Sequence, residues 1–233
     1  MTAQIDLIAD LTRSVLPLGL GVAARDPRLM PDHVHASEAA LVGRAVPKRQ
    51  AEFHSGRAAA RAAMATLGLP PAPVLAGADR APIWPEGLLG SISHTATACV
   101  ATVGLCTDWA GIGVDIEDDA SLPDDLVEEI CTCPERDWLS SLPHAEQGVM
   151  AKLIFSAKEA AYKAQYPMSG ALFGFDRLWV KIDRRRARFD AHFVDPPPPF
   201  HRMESLAGAY VHAAGILVTG VAVGQSEAKR FAG

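Results

Sequence analysis

The sequence is short of cysteine, of net positive charge and of long apolar runs, and each shortage removes a class of function. Only four cysteines, Cys99, Cys106, Cys131 and Cys133, stand in 233 residues. They do not form the paired knuckles that zinc prefers, so packing or surface placement is their expected role. Lysine and arginine number 22 against 27 aspartates and glutamates, a formal charge of −5. Such a chain is not expected to bind nucleic acid, and any phosphate ligand must be gripped by a few placed cations rather than by a basic surface. Thr, Asp and Arg interrupt every hydrophobic stretch before it reaches the roughly 18 apolar residues of a membrane span. In the opening stretch Met1–Ala24, Asp6 and Asp10 stand where a secretory leader would carry positive charge. That stretch is read as a helix and loop, and the protein as cytoplasmic.

What is present suffices for a core. With 49% hydrophobic and 21% charged residues, the chain can bury one sizeable core or two small ones that share a seam. Alanine and leucine at helical spacing predict one long or two consecutive helices over Ala36–Gly68, ended by Gly68 with Pro70 and Pro71. Pro and Gly mark Val74–Gly90 as a loop, and Ser91–Val103 is β-rich. Gly104–Trp109 then predicts a hairpin whose second strand is Ala110–Glu117. Acidic helical stretches follow over Pro123–Ile130 and Pro134–Leu142. The strongest helix of the second half spans His144–Gln165, with Tyr166-Pro167 as its stop. Strand-like runs at Leu178–Asp183, Ala187–Phe193 and Ile216–Val223 flank a Pro196–Pro199 run that no central strand tolerates. The order is that of an α+β fold, not of repeated βαβ units. The division into halves is expected near Asp115–Asp119, giving lobes 1–117 and 118–233.

Two pairs of polar residues carry chemical interest. Side chains alternate along a strand, so Asp115 and Glu117 share one face while Val114 and Ile116 face the core. Two carboxylates that close favour a hard divalent cation between them, although a solvated strand end continuing into Asp118 and Asp119 fits the same residues. On the long helix, Glu159 and Lys163 lie one turn apart, the spacing of an ordinary surface pair. Phe155 and Tyr162 fit the buried stripe of that helix. Further upstream, Arg49 and Arg57 are about two helical turns apart on one face, within reach of one ligand.

The combination is more specific than its parts. Gly-Val-Asp-Ile-Glu (113–117), followed by Phe-Ser-Ala-Lys-Glu-Ala-Ala-Tyr-Lys (155–163), resembles the paired signature of the phosphopantetheinyl transferase superfamily. Arg-Ala-Pro-Ile-Trp-Pro-Glu-Gly-Leu-Leu-Gly-Ser-Ile-Ser-His-Thr (80–95) is similar to a further signature of its two-lobed branch, that of enterobactin-synthetase component D. The resemblance covers nearly the whole chain and implies two similar α+β lobes in a pseudo-twofold arrangement, in a monomer, with the active site between them.

It also implies a reaction. The 4′-phosphopantetheine arm of coenzyme A passes to a serine of an acyl- or peptidyl-carrier protein, and 3′,5′-ADP leaves. By position, Asp115, Glu117 and Glu159 would hold Mg²⁺, or Mn²⁺, on the pyrophosphate. Glu159, Lys163 and His94 would be catalytic, with Glu159, directly or through a metal-bound water, the base. Ser93, His94 and Lys163 would contact the coenzyme A phosphates. Arg49, Arg57 and Arg80, with Lys48 in support, would grip the 3′-phosphate and adenine end, since a guanidinium holds phosphate bidentately. Two other readings fit less well: a non-catalytic coenzyme A or carrier-protein binding module of the same fold, and another Mg²⁺-dependent phosphoryl or nucleotidyl transferase. Intact Asp115, Glu117, Glu159 and Lys163 oppose the first, and the lack of a Walker-type loop opposes the second.

Overall fold

The computed structural model describes residues 2–231. Helix α1 (Thr2–Ser14) and strand β1 (Gly21–Arg25) lead into α2 (Ala36–Val42) and α3 (Pro47–Thr66), so the alanine-rich segment is two helices. A miniature hairpin, β2 (Leu75–Ala76) and β3 (Pro82–Ile83), rises from the expected loop. Then come β4 (Leu88–His94), β5 (Cys99–Leu105) and β6 (Trp109–Asp118). The second half continues with α4 (Asp124–Ile130), α5 (Cys133–Ser140) and α6 (His144–Ser169). It closes with β7 (Leu178–Asp183), β8 (Arg188–Phe193), β9 (Ser205–Ala213), β10 (Ile216–Gly224) and the short α7 (Gln225–Ala228). No helix of the described residues is long and apolar enough to cross a membrane.

The strands form an α+β fold with two main antiparallel sheets, β1-β5-β4 and β6-β10-β9-β8-β7. Each sheet carries a long helix, α3 on the first and α6 on the second. The contact is alike in both lobes. A Cβ on Gly21 of β1 would come within 2.2 Å of the Ala63 carbonyl oxygen, and one on Gly113 of β6 within 1.8 Å of that of Ala160. Only glycine lets helix and strand backbones approach so closely. Between the sheets, Ile8, Val15 and Leu16 pack with Val22 and Val100 of the first sheet and Val114, Ile116, Ile216 and Val218 of the second. The two lobes therefore share a buried seam.

Several local expectations change. The hairpin predicted between β5 and β6 does not form: β5 has both edges taken, by β1 and β4, so β6 crosses to the second sheet and pairs with β10. Turn chemistry between neighbours in sequence cannot reveal that a distant strand already fills an edge. The sheets consequently change at 106–108, and a division at 117/118 falls within β6. Pro167 does not stop α6, which runs to Ser169 and ends at Gly170 with φ +64°. Pro167 has no N–H for the Lys163 carbonyl, yet the helix closes just beyond it with Gly170 N donating to the Tyr166 carbonyl at 2.8 Å. Strands β1 and β9 lay in segments whose local sequence gave no strand signal.

Candidate active site

The edges of the two sheets meet where β4 runs alongside β6, and no backbone ladder joins them. Serine side chains do so instead. Ser91 Oγ accepts from Val114 N (3.0 Å), and Ser93 Oγ accepts from Ile116 N (3.3 Å) while donating to Asp115 Oδ1 (2.8 Å). This seam sets Asp115 on β6 beside His94 at the end of β4. Val114 and Ile116 are buried in the shared core, as strand alternation predicts.

Helix α6 crosses β6 on the face that carries Asp115 and supplies the rest of the cluster. Lys163 Nζ donates to Asp115 Oδ1 (2.7 Å) and to the Val114 carbonyl (3.2 Å), and stands 4.0 Å from Glu159 Oε2. Ser156 Oγ donates to the other Asp115 oxygen, Oδ2 (2.8 Å), and Thr219 of β10 donates to the Ser156 carbonyl (2.9 Å). Glu117, half-buried, accepts from Lys152 Nζ at 3.1 Å.

The three carboxylates act on one another electrostatically. Glu159 is held above the usual carboxylate range, first by burial, with Lys163 opposing and the charges of Asp115 and Glu117 adding to the rise. Glu117 is raised by burial and by Asp115, against the pull of Lys152 and Lys163. Desolvated carboxylates set beside further carboxylate charge are the donor set a hard divalent cation neutralises, and their chemistry fits Mg²⁺. Among the described residues no three such side chains already stand at ligating separation. Lysine ammoniums provide the counter-charge.

Across the seam, His94 is exposed at the end of β4, with its Nε2 3.4 Å from Arg49 Nη1. Burial of part of the ring pushes its pKa below the ordinary value, Glu52 opposes this, and Arg49 and Lys163 push it further down. A neutral imidazole between two cations can still donate to an anion. Arg49 and Lys48 are both open to solvent, each turned towards Glu52. Arg80 is exposed at the tip of the β2–β3 hairpin, with φ +69°. A cleft of about 510 Å³ runs from that tip to Lys163, between Arg80 and Trp84 on one side and Tyr162 and Tyr166 of α6 on the other. The Tyr166 hydroxyl donates to Asp79 and bridges the two sides.

Two expected contacts are placed elsewhere. Arg57 is buried, its guanidinium 4.2 Å from the Phe53 ring centre, with Nε donating to the Val74 carbonyl (3.1 Å) and an Nη to that of Leu75 (3.2 Å). Burial lowers its pKa to about 10, so it stays charged. It shares the helix with Arg49 but does not meet it at the surface; instead it anchors the start of the hairpin that carries Arg80. Ser93 is buried, and its one hydrogen already goes to Asp115. A phosphate oxygen can only accept, so the expected Ser93–phosphate contact would require breaking that bond.

Other contributors went unread in the sequence. Lys158, inside the motif and 1% exposed, donates to Glu135 (2.8 Å) and to the carbonyls of Ile130 (2.7 Å) and Phe175 (3.0 Å). A Thr-x-x-Glu capping box at 132–135 was the available signal for Glu135. Ser156, Thr219 and the Asp79–Tyr166 bridge had none.

Comparison with known proteins agrees with this arrangement. Residues 37–104 match the 4′-phosphopantetheinyl transferase N-terminal domain, and residues 111–214 match the 4′-phosphopantetheinyl transferase superfamily. The chain is 39% identical to the 4′-phosphopantetheinyl transferase Svp of Streptomyces mobaraensis over 189 residues, 80% of this chain and 77% of Svp. It is 35% identical to PptT of Mycobacterium tuberculosis over 158 residues, 67% of this chain and 69% of PptT. With enterobactin synthase component D of Salmonella typhi it shares 40% identity over 133 residues, 55% of this chain and 53% of the relative. The two family matches fall one on each lobe, and the chain belongs to the 4′-phosphopantetheinyl transferase superfamily, in the branch that includes enterobactin synthase component D.

Proposed function

We propose that this transferase moves 4′-phosphopantetheine from coenzyme A to a serine of an apo acyl- or peptidyl-carrier protein at the seam between the lobes, in the cytoplasm, where its substrates are made. One observation supports this above all others: Lys163, which bonds to Asp115 and stands 4.0 Å from Glu159, also lines a cleft that draws on both lobes.

Asp115, Glu117 and Glu159 would hold Mg²⁺ or Mn²⁺, which when bound supplies charge neutralisation at the pyrophosphate. Arg49, beside His94, and Arg80, on the wall of the cleft, would grip the phosphates and the nucleotide end of coenzyme A. Arg57 supports this clamp from beneath by holding the Val74–Leu75 backbone. The serine oxygen of the carrier bonds to the β-phosphorus as the bond from that phosphorus to the bridging oxygen breaks, and 3′,5′-ADP departs. The serine proton goes to Glu159, directly or through a water. Lys163 and His94 stabilise negative charge as it grows on the phosphoryl and leaving oxygens.

Mass spectrometry of an apo-carrier protein incubated with coenzyme A, Mg²⁺ and this enzyme tests the reading. A gain of one phosphopantetheine by the carrier is expected. Coenzyme A binding without any gain, across several carriers, would favour a non-catalytic binding module instead.

A further inference from the structure

The Asp115 carboxylate is held at both oxygens by hydroxyls that come from different lobes. Ser93 of β4, in the first sheet, donates to Oδ1 at 2.8 Å, and Ser156 of α6, on the second, donates to Oδ2 at 2.8 Å. All three side chains are buried: Asp115 is 4% exposed, Ser93 7% and Ser156 0%. Neither hydroxyl is free to turn. Ser93 Oγ is fixed from behind by Ile116 N, and Ser156 Oγ lies 2.9 Å from the Thr219 hydroxyl. With Lys163 also on Oδ1, such a carboxylate is not free to rotate about its Cβ–Cγ bond, so the direction of its remaining lone pair, on Oδ2, is set by the two lobes together.

The structure assigns Ser93 and Ser156 as positioning residues that aim Asp115 from opposite lobes, and it removes Ser93 from the ligand's own contacts. The inference rests on the transferase reading above, in which Asp115 is one of three carboxylates holding the divalent ion. Hydrogen-bond partners behind a metal-binding side chain commonly change metal affinity by about 10–100-fold when removed. Buried hydroxyls without side-chain freedom fit that role. Ser91 supplies an internal control: it makes the same kind of seam bond to Val114 N, at 3.0 Å, yet is not bonded to Asp115.

The test compares Ser93→Ala, Ser156→Ala, Ser93→Thr and Ser91→Ala with the unaltered enzyme. Titration with Mn²⁺, followed by electron paramagnetic resonance in the presence of coenzyme A, reads metal affinity, and calorimetry without metal reads coenzyme A affinity. Ser93→Ala and Ser156→Ala are expected to weaken Mn²⁺ binding about tenfold or more, with metal-free coenzyme A affinity within about twofold of the starting value. Ser93→Thr, which keeps the hydroxyl, restores metal affinity. Ser91→Ala lowers thermal stability without moving it. Weaker metal-free coenzyme A binding by Ser93→Ala would make Ser93 a ligand contact and overturn the assignment. So would an equal loss of Mn²⁺ affinity in Ser91→Ala, or no loss in Ser93→Ala and Ser156→Ala. An unaltered enzyme that binds neither coenzyme A nor Mn²⁺ would instead refute the transferase reading itself.

Discussion

At Asp115 one buried carboxylate collects a lysine ammonium and two serine hydroxyls, and residues from three elements meet on two oxygen atoms. Asp115, Glu117, Glu159 and Lys163 were legible through the resemblance of the two motifs, taken together, to the superfamily signature; strand and helix spacing alone fits a solvated strand end and an ordinary surface pair. Ser156 was not, since a serine within a helix carries no signal of what lies opposite it. Arg57 was legible as a cation but not as a buried one, because helical phase alone does not say that Val74 and Leu75 will lie across it.

Beside Arg57 sits a second buried group with a testable consequence. His54 is 4% exposed, its Nδ1 lacks a partner, and burial holds its pKa below the ordinary 6.5. The unfolded chain then binds the proton more readily than the folded one, so stability falls as pH is lowered from 6.5 towards the depressed value. Urea denaturation above and below that range is expected to show this slope, and His54→Gln to flatten it.

Among the elements, α6 does the most to assemble the site. One face sends Ser156, Glu159 and Lys163 to the seam, while Lys158 goes the other way, to Glu135 at the start of α5. Lys158→Ala would leave Glu135 as an unpaired charge in the interior, and a loss of about 3–5 kcal/mol in urea-derived stability is expected. Tyr166, one turn beyond Tyr162, fastens the helix to Asp79 of the hairpin across the cleft. Tyr166→Phe is expected to raise the KM for coenzyme A about two- to tenfold while kcat at saturation stays unchanged, as steady-state assays would show. Helix α6 was legible from its apolar periodicity, but its last turn was not, since Pro167 reads as a stop when the helix is considered alone. Strand β9 closes on the Ala214-Gly215 turn, both residues at positive φ, but alanine at the first turn position hides that turn in the sequence; β8 and β10 pair with the strand on either side.

For the whole molecule, the α+β class and the presence of two lobes could be read in advance. Edge-to-edge docking of the two sheets through Ser91 and Ser93 could not, because it depends on β6 leaving its sequence neighbour for β10. That crossover places the first motif's acids on the second sheet and brings His94 to them from the first. In the proposed reaction, carboxylates from β6 and α6 form one transfer centre, separate from the arginines that hold coenzyme A. The most direct measurement is phosphopantetheine transfer to an apo-carrier by Asp115→Ala and Glu159→Ala, with coenzyme A binding followed in parallel. A fall of roughly a hundredfold or more in transfer, with part of the coenzyme A binding retained through the arginines, is predicted; near-normal turnover in either variant would contradict the account.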